Sequence, residues 1–328
     1  MQTKLSSTSP NLTRGYTIAI ISAVILATTA IFIRHLTQTY QMPPLVLAFW
    51  RDAFVALTLL PALGLLRAGL LRANRRHLFY LVVYGLMLAI FNALWTTAVA
   101  LTGAAVATVL VYSSAGFTTL LGRLLLQERL DWAKLLVVVL TFSGCVLVSD
   151  TLDPMAWSGN ALGILTGVIS GLMYAIYTLM GRSASQRGLN PWTTLFYTFG
   201  FAALFLLMFN LAPGGFLPGT ATRFADFFWL GNAFAGWGIL FMLAAGPTVL
   251  GYGLYNVSLS HLPSSVANLI VTSEPVFTAV IAYALLGERL TLIQIVGGLM
   301  ILGGVIFLRV YEGRLAKKSQ PEPYQVVN

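Results

Sequence analysis

Charge is what this 328-residue chain has least of. Only 9% of its residues are Asp, Glu, Lys or Arg, against about 25% in soluble proteins. With 58% hydrophobic residues, too little polar sequence remains to surface a sizeable soluble domain, so the chain reads as a polytopic membrane protein. A single cysteine, Cys145, lies inside an apolar run, which excludes a disulfide framework and a cysteine metal site. The three histidines, His35, His77 and His261, are far apart without ligand spacing, so no metal is expected. No Walker loop occurs, so neither ATP nor any other cofactor is expected. No acidic pair or Ser/Lys dyad at one depth offers a catalytic centre, and no catalytic residue is assigned. Nor does anything resemble a selectivity filter or a ring of like charges.

What is present is a series of long apolar runs. A bilayer core takes about 20 residues of helix, and runs of that kind predict spans near 15–33, 44–66, 78–100, 104–125, 133–149, 160–181, 192–212, 233–257, 264–286 and 292–309. The first run is too long for a signal-peptide core and reads as a retained span. Gly246-Pro247, with Gly251 and Gly253, predicts a kinked or broken helix in the eighth. The net charge of +9 would suggest nucleic acid in a soluble protein, but here the positions of the basic residues explain it. With the N-terminus inside, fifteen of the nineteen Lys and Arg residues fall in inner segments. Only Arg34, Arg223 and Arg289 fall outside, and Arg51 lies within a span. The positive-inside rule therefore places both termini in the cytoplasm. The expected partners are the lipid bilayer of the plasma membrane and a small-molecule substrate, with no nucleic acid.

One segment occurs twice. Val106–Leu130 aligns without a gap on Val266–Leu290, a shift of 160, with eleven of twenty-five positions identical. Both copies end in Glu-Arg-Leu, at Glu128-Arg129-Leu130 and Glu288-Arg289-Leu290. Five spans per half is an odd number, so the halves must cross the membrane in opposite directions. This predicts an all-α fold of ten transmembrane helices as a 5+5 inverted repeat: a tail at 1–14, repeats at 15–149 and 160–310, and a tail at 311–328. Such symmetry lets one cavity open to either side, the geometric basis of alternating access.

The second copy reads Ser273-Glu274-Pro275-Val276-Phe277, Leu286-Gly287-Glu288-Arg289-Leu290, Gly297-Gly298 and Gly303-Gly304. These motifs resemble the drug/metabolite transporter superfamily, and its EamA-type branch in particular. The first copy departs from the pattern, with Ser114-Ala115 where Glu-Pro stands and Gln127 where Gly stands. The first span reads Thr28-Thr29-Ala30 where the family often has Trp-Gly. The resemblance covers roughly residues 15–310 and implies transport across a wide range of metabolites.

Ionisable groups at membrane depth are costly, so Arg51, Asp52 and Glu274 are site candidates. Glu274 lies near the midplane. Pro275 lacks an N–H and so frees a backbone carbonyl one turn earlier. A carboxylate beside such a carbonyl could bind an ammonium group or take up a proton, making Glu274 a candidate for proton coupling; the alternative is a protonated acid bonded to a neighbouring helix. Arg51 and Asp52 point about 100° apart on a helix, so a mutual salt bridge is not expected. Each is expected to pair with another helix, as structural charge or in an outer vestibule that binds a carboxylate.

Polar and aromatic residues at helical spacing give further candidates. Asn92 and Trp95 share a face with Tyr84 in the third span, and Tyr252, Tyr255 and Asn256 occupy its repeat mate. Thr108 and Tyr112 of the fourth span and Asn268 and Thr272 of the ninth occupy the same repeat positions, and Tyr174 and Tyr177 sit in the sixth span. Lipid-facing amides are expensive, so Asn92, Asn256 and Asn268 are expected to face the interior. The candidate substrate-binding set is Asn92, Trp95, Tyr112, Tyr174, Tyr252, Asn256, Asn268 and Glu274. An interior of this kind suits a substrate with an apolar body and a few polar groups. The leading expectation is a secondary transporter that exports or exchanges an amino acid or an amphipathic cation. A membrane-embedded enzyme, a channel and a phosphate-sugar or nucleotide-sugar carrier remain alternatives, the last weakened because only Arg51 stands ready to balance phosphate.

Overall fold

The computed structural model of the chain describes residues 12–126, 131–148, 154–212, 219–221, 223–259, 261, 270–271 and 273–318. Among these residues every regular element is a helix. They are α1 Leu12–Thr39, α2 Pro44–Arg67, α3 Arg75–Thr102, α4 Ala104–Val111, α5 Ser114–Leu126, α6 Trp132–Val148, α7 Pro154–Gln186, α8 Pro191–Asn210, α9 Phe234–Leu243, α10 Tyr252–Leu259, α11 Glu274–Leu286 and α12 Leu292–Lys318. A π-helical stretch, Ala244–Gly251, joins α9 to α10. Seven of the described helical stretches are long and apolar enough to cross a membrane, and three shorter apolar helices accompany them, Trp132–Val148, Glu274–Leu286 and Leu292–Leu308. Large apolar side chains such as Leu65, Phe79 and Phe234 stand exposed on the outside of the bundle, where a bilayer rather than water would meet them. This is an integral membrane protein.

Helix ends follow local chemistry. The side chains of Asn74 and Asn190 accept the backbone N–H of Arg76 and Trp192, capping α3 and α8, and Pro44 and Pro191 open α2 and α8 where a missing N–H costs nothing. The helix α7 starts earlier than the apolar run implies, with non-helical angles at Asn160 marking a kink within it.

Two breaks matter for the interior. The expected kink in the eighth span is the π stretch. Pro247 has no N–H to give Leu243 O, and that carbonyl instead faces the Thr248 hydroxyl at 3.4 Å. The fourth span was expected to be continuous and is not, since α4 stops at Val111 and α5 starts at Ser114. At this break Ser113 N donates to Leu110 O, and the N–H groups of Gly116 and Phe117 donate to Ser113 O. Exactly 160 residues later the same pattern recurs around Ser273, from Ser273 N to Ile270 O and from Val276 N and Phe277 N to Ser273 O. The two copies of the repeat therefore break at the same place.

Packing is pairwise and reciprocal. The helix α6 runs along α12, α2 along α8, and α4 against α11. The helix α1 packs on α11 and on the α9–α10 segment, as α7 packs on α4–α5 and on α3. Glycines allow the closest approaches. A Cβ at Gly144 would sit 2.6 Å from Gly297 O, and one at Gly297 would sit 2.7 Å from Gly144 O. Small residues at that crossing let two backbones meet, as they do in membrane bundles generally.

Candidate functional site

The α3 helix brings Leu88, Phe91, Asn92 and Trp95 to the centre of the bundle, and facing it are Tyr174 and Tyr177 of α7. Together with Thr29, Arg51, Thr108, Tyr112, Phe199, Thr248, Tyr252, Tyr255, Val271 and Glu274, they line a cavity of about 270 Å³. Its wall draws on both halves of the chain. That volume lies near the lower end of the range for ligand pockets, about 300–1,000 Å³.

Of the residues singled out from the sequence, Arg51, Asn92, Trp95, Tyr112, Tyr174, Tyr252 and Glu274 line this one cavity. Asn256 lies in α10, but its side chain is outside the described set, and so is the whole of Asn268. Tyr84 stands apart, in a smaller cavity of about 160 Å³ near the turn between α7 and α8. Tyr177 borders both cavities, and its ring lies 4.7 Å from that of Tyr84. An aromatic series runs from Trp95 through Phe91, Tyr174, Tyr177 and Tyr84 to Tyr80, where the Arg187 guanidinium caps it at 4.3 Å. Thr29, Phe91, Phe199 and Thr248 were not anticipated. Thr248 had a signal in the Pro beside it; Phe91 and Phe199 look like any other apolar residue in their runs.

Glu274 lines the same cavity. Pro275 leaves Val271 O without its usual helical donor, and Tyr112 Oη stands 3.3 Å from that carbonyl and 3.1 Å from Glu274 Oε2. Both contacts are satisfied when Glu274 carries a proton and donates it to Tyr112, which donates onward to Val271 O. Once Glu274 is ionised, the single phenolic proton must be shared.

The Arg51–Asp52 expectation is corrected. Arg51 Nε donates to Asp52 Oδ1 at 3.2 Å although the two are neighbours in sequence. The 100° rule concerns short side chains on an exposed helix. Here both groups are buried, Arg51 to 3% and Asp52 to 0% exposure, and the long Arg stem folds back because a buried carboxylate without a partner is costly. Asp52 does reach another helix, its Oδ2 accepting from Asn92 Nδ2 at 2.6 Å. The Arg51 guanidinium faces the Trp95 ring at 5.8 Å.

A profile of the EamA-like transporter family matches residues 13–150 and again 161–310. The chain belongs to the EamA-like transporter family. It is 29% identical over 296 residues to an uncharacterized transporter of Archaeoglobus fulgidus, covering 89% of this chain and 95% of the relative. It is 25% identical over 267 residues to the uncharacterized transporter YyaM of Bacillus subtilis, covering 79% and 82%. A protein crystal structure superposes with a TM-score of 0.57 at 17% identity, covering 91% of this chain and 98% of that one, which speaks to the fold. The family and these relatives indicate a transporter rather than an enzyme.

In this EamA-like transporter the second Glu-Arg-Leu turn makes a contact that sequence reasoning missed. Glu288 caps the start of α4, accepting the Ala104 N–H at 2.9 Å and the Ala105 N–H at 3.1 Å. Gly103 precedes them with φ 95°, and a Cβ there would lie 2.9 Å from the Glu288 carboxylate, so only glycine fits. Arg34 of α1 pairs with Glu288 Oε1 at 3.3 Å and donates to the Ala100 and Val99 carbonyls at the end of α3. The group ties α1 and the end of α3 to the start of α4, at the opposite end of α3 from Tyr80. The two turns' identity hinted that Glu288 mattered, but a partner 184 positions away leaves no local trace. The first copy of the turn, Glu128–Leu130, lies outside the described residues.

Proposed function

We propose that this protein is a secondary transporter that exports or exchanges a small metabolite, an amino acid or an amphipathic cation, by alternating access through the central cavity. Ten membrane-crossing segments form two inverted five-segment repeats, 15–149 and 160–310, in the plasma membrane with both termini cytoplasmic. The observation that carries this reading is the pair of helix breaks at Tyr112–Ser113 and at Ser273, related by the repeat shift and both bordering the cavity. Reciprocal packing supports it: α1 meets α9–α11 as α7 meets α3–α5, and the family profile matches each half separately. Two similar halves of opposite orientation make opening to either face comparable in energy. On this reading the Arg34–Glu288 group shuts the outer face, and the Tyr84–Tyr177 pair borders the route inward. Substrate would be held among Asn92, Trp95, Tyr112, Tyr174, Tyr252, Asn256, Asn268 and Glu274, with Glu274 exchanging a proton.

Counterflow tests this. Purified protein in liposomes, preloaded with unlabelled compound, is mixed with trace label from a panel of amino acids and organic cations. At least one compound should accumulate transiently without ATP. No counterflow from the whole panel, with protein shown to be inserted and folded, would overturn the transport mechanism.

A further inference from the structure

The smaller cavity, about 160 Å³ in volume, is built where α7 turns into α8. Gly188 takes a positive φ of 73° in that turn, and Leu189 N donates to Ala184 O at 3.1 Å. A turn of this form brings the residue after the glycine back against the last turn of the helix, and Ala184 and Leu189 both line the cavity. The helix α8 contributes Thr194 to the lining, and α7 and α3 contribute Tyr177 and Tyr84. Gly181 adds no side chain to this wall; a Cβ on it would lie 2.8 Å from the Tyr84 hydroxyl.

The lining restricts what can enter. No residue of it is charged, so an ion would lose its water without meeting a counter-charge. The Thr194 hydroxyl is already engaged, donating to Asn190 O at 3.0 Å. What remains is apolar surface and two aromatic rings, against which another ring can stack or stand edge-on. An apolar cavity of about 150 Å³ takes up a benzene molecule, so this space matches one six-membered ring. Tyr177 also lines the central cavity, and Tyr84, only 3% exposed, backs it at 4.7 Å between ring centroids. The pair therefore stands between the two spaces, and the aromatic series from the central cavity continues through it to Tyr80.

We propose that the smaller cavity is a second binding site, for a single uncharged ring of about benzene size, partitioned from the central cavity by Tyr84 and Tyr177. Building on the transport reading above, it is the station where the apolar end of a substrate rests between the central cavity and the inner face.

The test places one thiol on the wall, Thr194→Cys in a Cys145→Ser background, in purified protein held in lipid nanodiscs. Modification by methyl methanethiosulfonate is followed by mass spectrometry with and without phenol or benzoate. Phenol at about 10 mM should slow the modification about threefold or more, the mass-action effect of a ligand in modest excess over its Kd. Benzoate, with the same ring and a charge, should not. Leu189→Trp should fill the space and abolish the protection by phenol; Ala184→Leu fills it from α7 and keeps the test open if Leu189→Trp does not fold. The site falls if phenol gives no protection, if benzoate protects equally, or if protection survives in a folded filling variant. Counterflow of a panel compound that wild type accumulates should slow in the filling variant, and an unchanged rate would remove the station role. Phenol protection in a protein without counterflow would leave the ring site standing and remove the transport reading. Counterflow without phenol protection would do the reverse.

Discussion

On the alternating-access reading proposed above, replacing Glu288 by Ala should open the outer face. The carboxylate supplies two side-chain bonds to the first N–H groups of α4, and losing such a cap costs about 1–2 kcal/mol. Its charge at a helix N-terminus adds about 0.3–1 kcal/mol. The pair with Arg34 is partly screened, with side chains 18% and 17% exposed, and contributes about 1 kcal/mol at most. These terms overlap, so a total of about 2–3 kcal/mol is reasonable, a shift of roughly 30- to 150-fold in a two-state equilibrium. Transporter states commonly differ by only a few kcal/mol, so the closed face should lose its dominance. The assay is a single cysteine at Thr29, which lines the cavity, in a Cys145→Ser background. Labelling by an impermeant thiol reagent added on the side of the Arg34–Glu288 pair should speed up at least tenfold in Glu288→Ala, and less in Glu288→Gln, which keeps one acceptor oxygen. The double exchange Arg34→Glu with Glu288→Arg separates cap from ion pair. A simple ion pair would be restored, whereas an arginine cannot accept from the Ala104 and Ala105 N–H groups and should leave the face open. Wild-type labelling in a folded Glu288→Ala protein would refute the reasoning and make the cap a feature of every conformation.

Further outcomes are expected. Asp131→Cys and Thr291→Cys, each in a Cys145→Ala background, should label from opposite sides of the membrane; labelling from one side would remove the inverted repeat. Substrate exchange by wild type should strengthen with rising pH, because the ionised Glu274 is the form that holds an ammonium group. Glu274→Gln should fold, insert and lose that pH dependence, and a wild-type pH profile in this variant would make the residue structural. Gly144→Val should cost at least about 1–3 kcal/mol as overpacking, read as a lower thermal midpoint in detergent, since its Cβ would meet Gly297 backbone 2.6 Å away; an unchanged midpoint would show that α6 and α12 part freely.

How far these features were legible depends on the range of the interaction behind each. The kink at Pro247 and the freed Val271 carbonyl follow from a missing N–H four residues on, and both were readable from the chain alone. The first-copy break at Tyr112–Ser113 has no proline; Ala115 donates there to Tyr112 O. What favours it is tertiary, since the break packs where α7 offers Gly171, and a Cβ on that glycine would reach Leu110 O and Ser114 N at 3.3 Å. Only the match to Ser273 could have suggested it. The Glu288 cap joins positions 184 apart, and neither periodicity nor composition records such a pairing.

Arg51 and Asp52 show why polar residues in apolar runs resist reading one at a time. Helical geometry places neighbours on different faces, and in water that would keep them apart. In a dry interior the carboxylate must find every available donor. Asp52 therefore takes Asn92 from α3 and the near edge of Arg51 together. Arg51 in turn lines the central cavity. A salt bridge that looks purely structural thus also orients the one basic group on the wall, and its two roles are separable by experiment. Losing Asp52 should lower stability, whereas replacing Arg51, which lines the cavity, should also alter ligand binding.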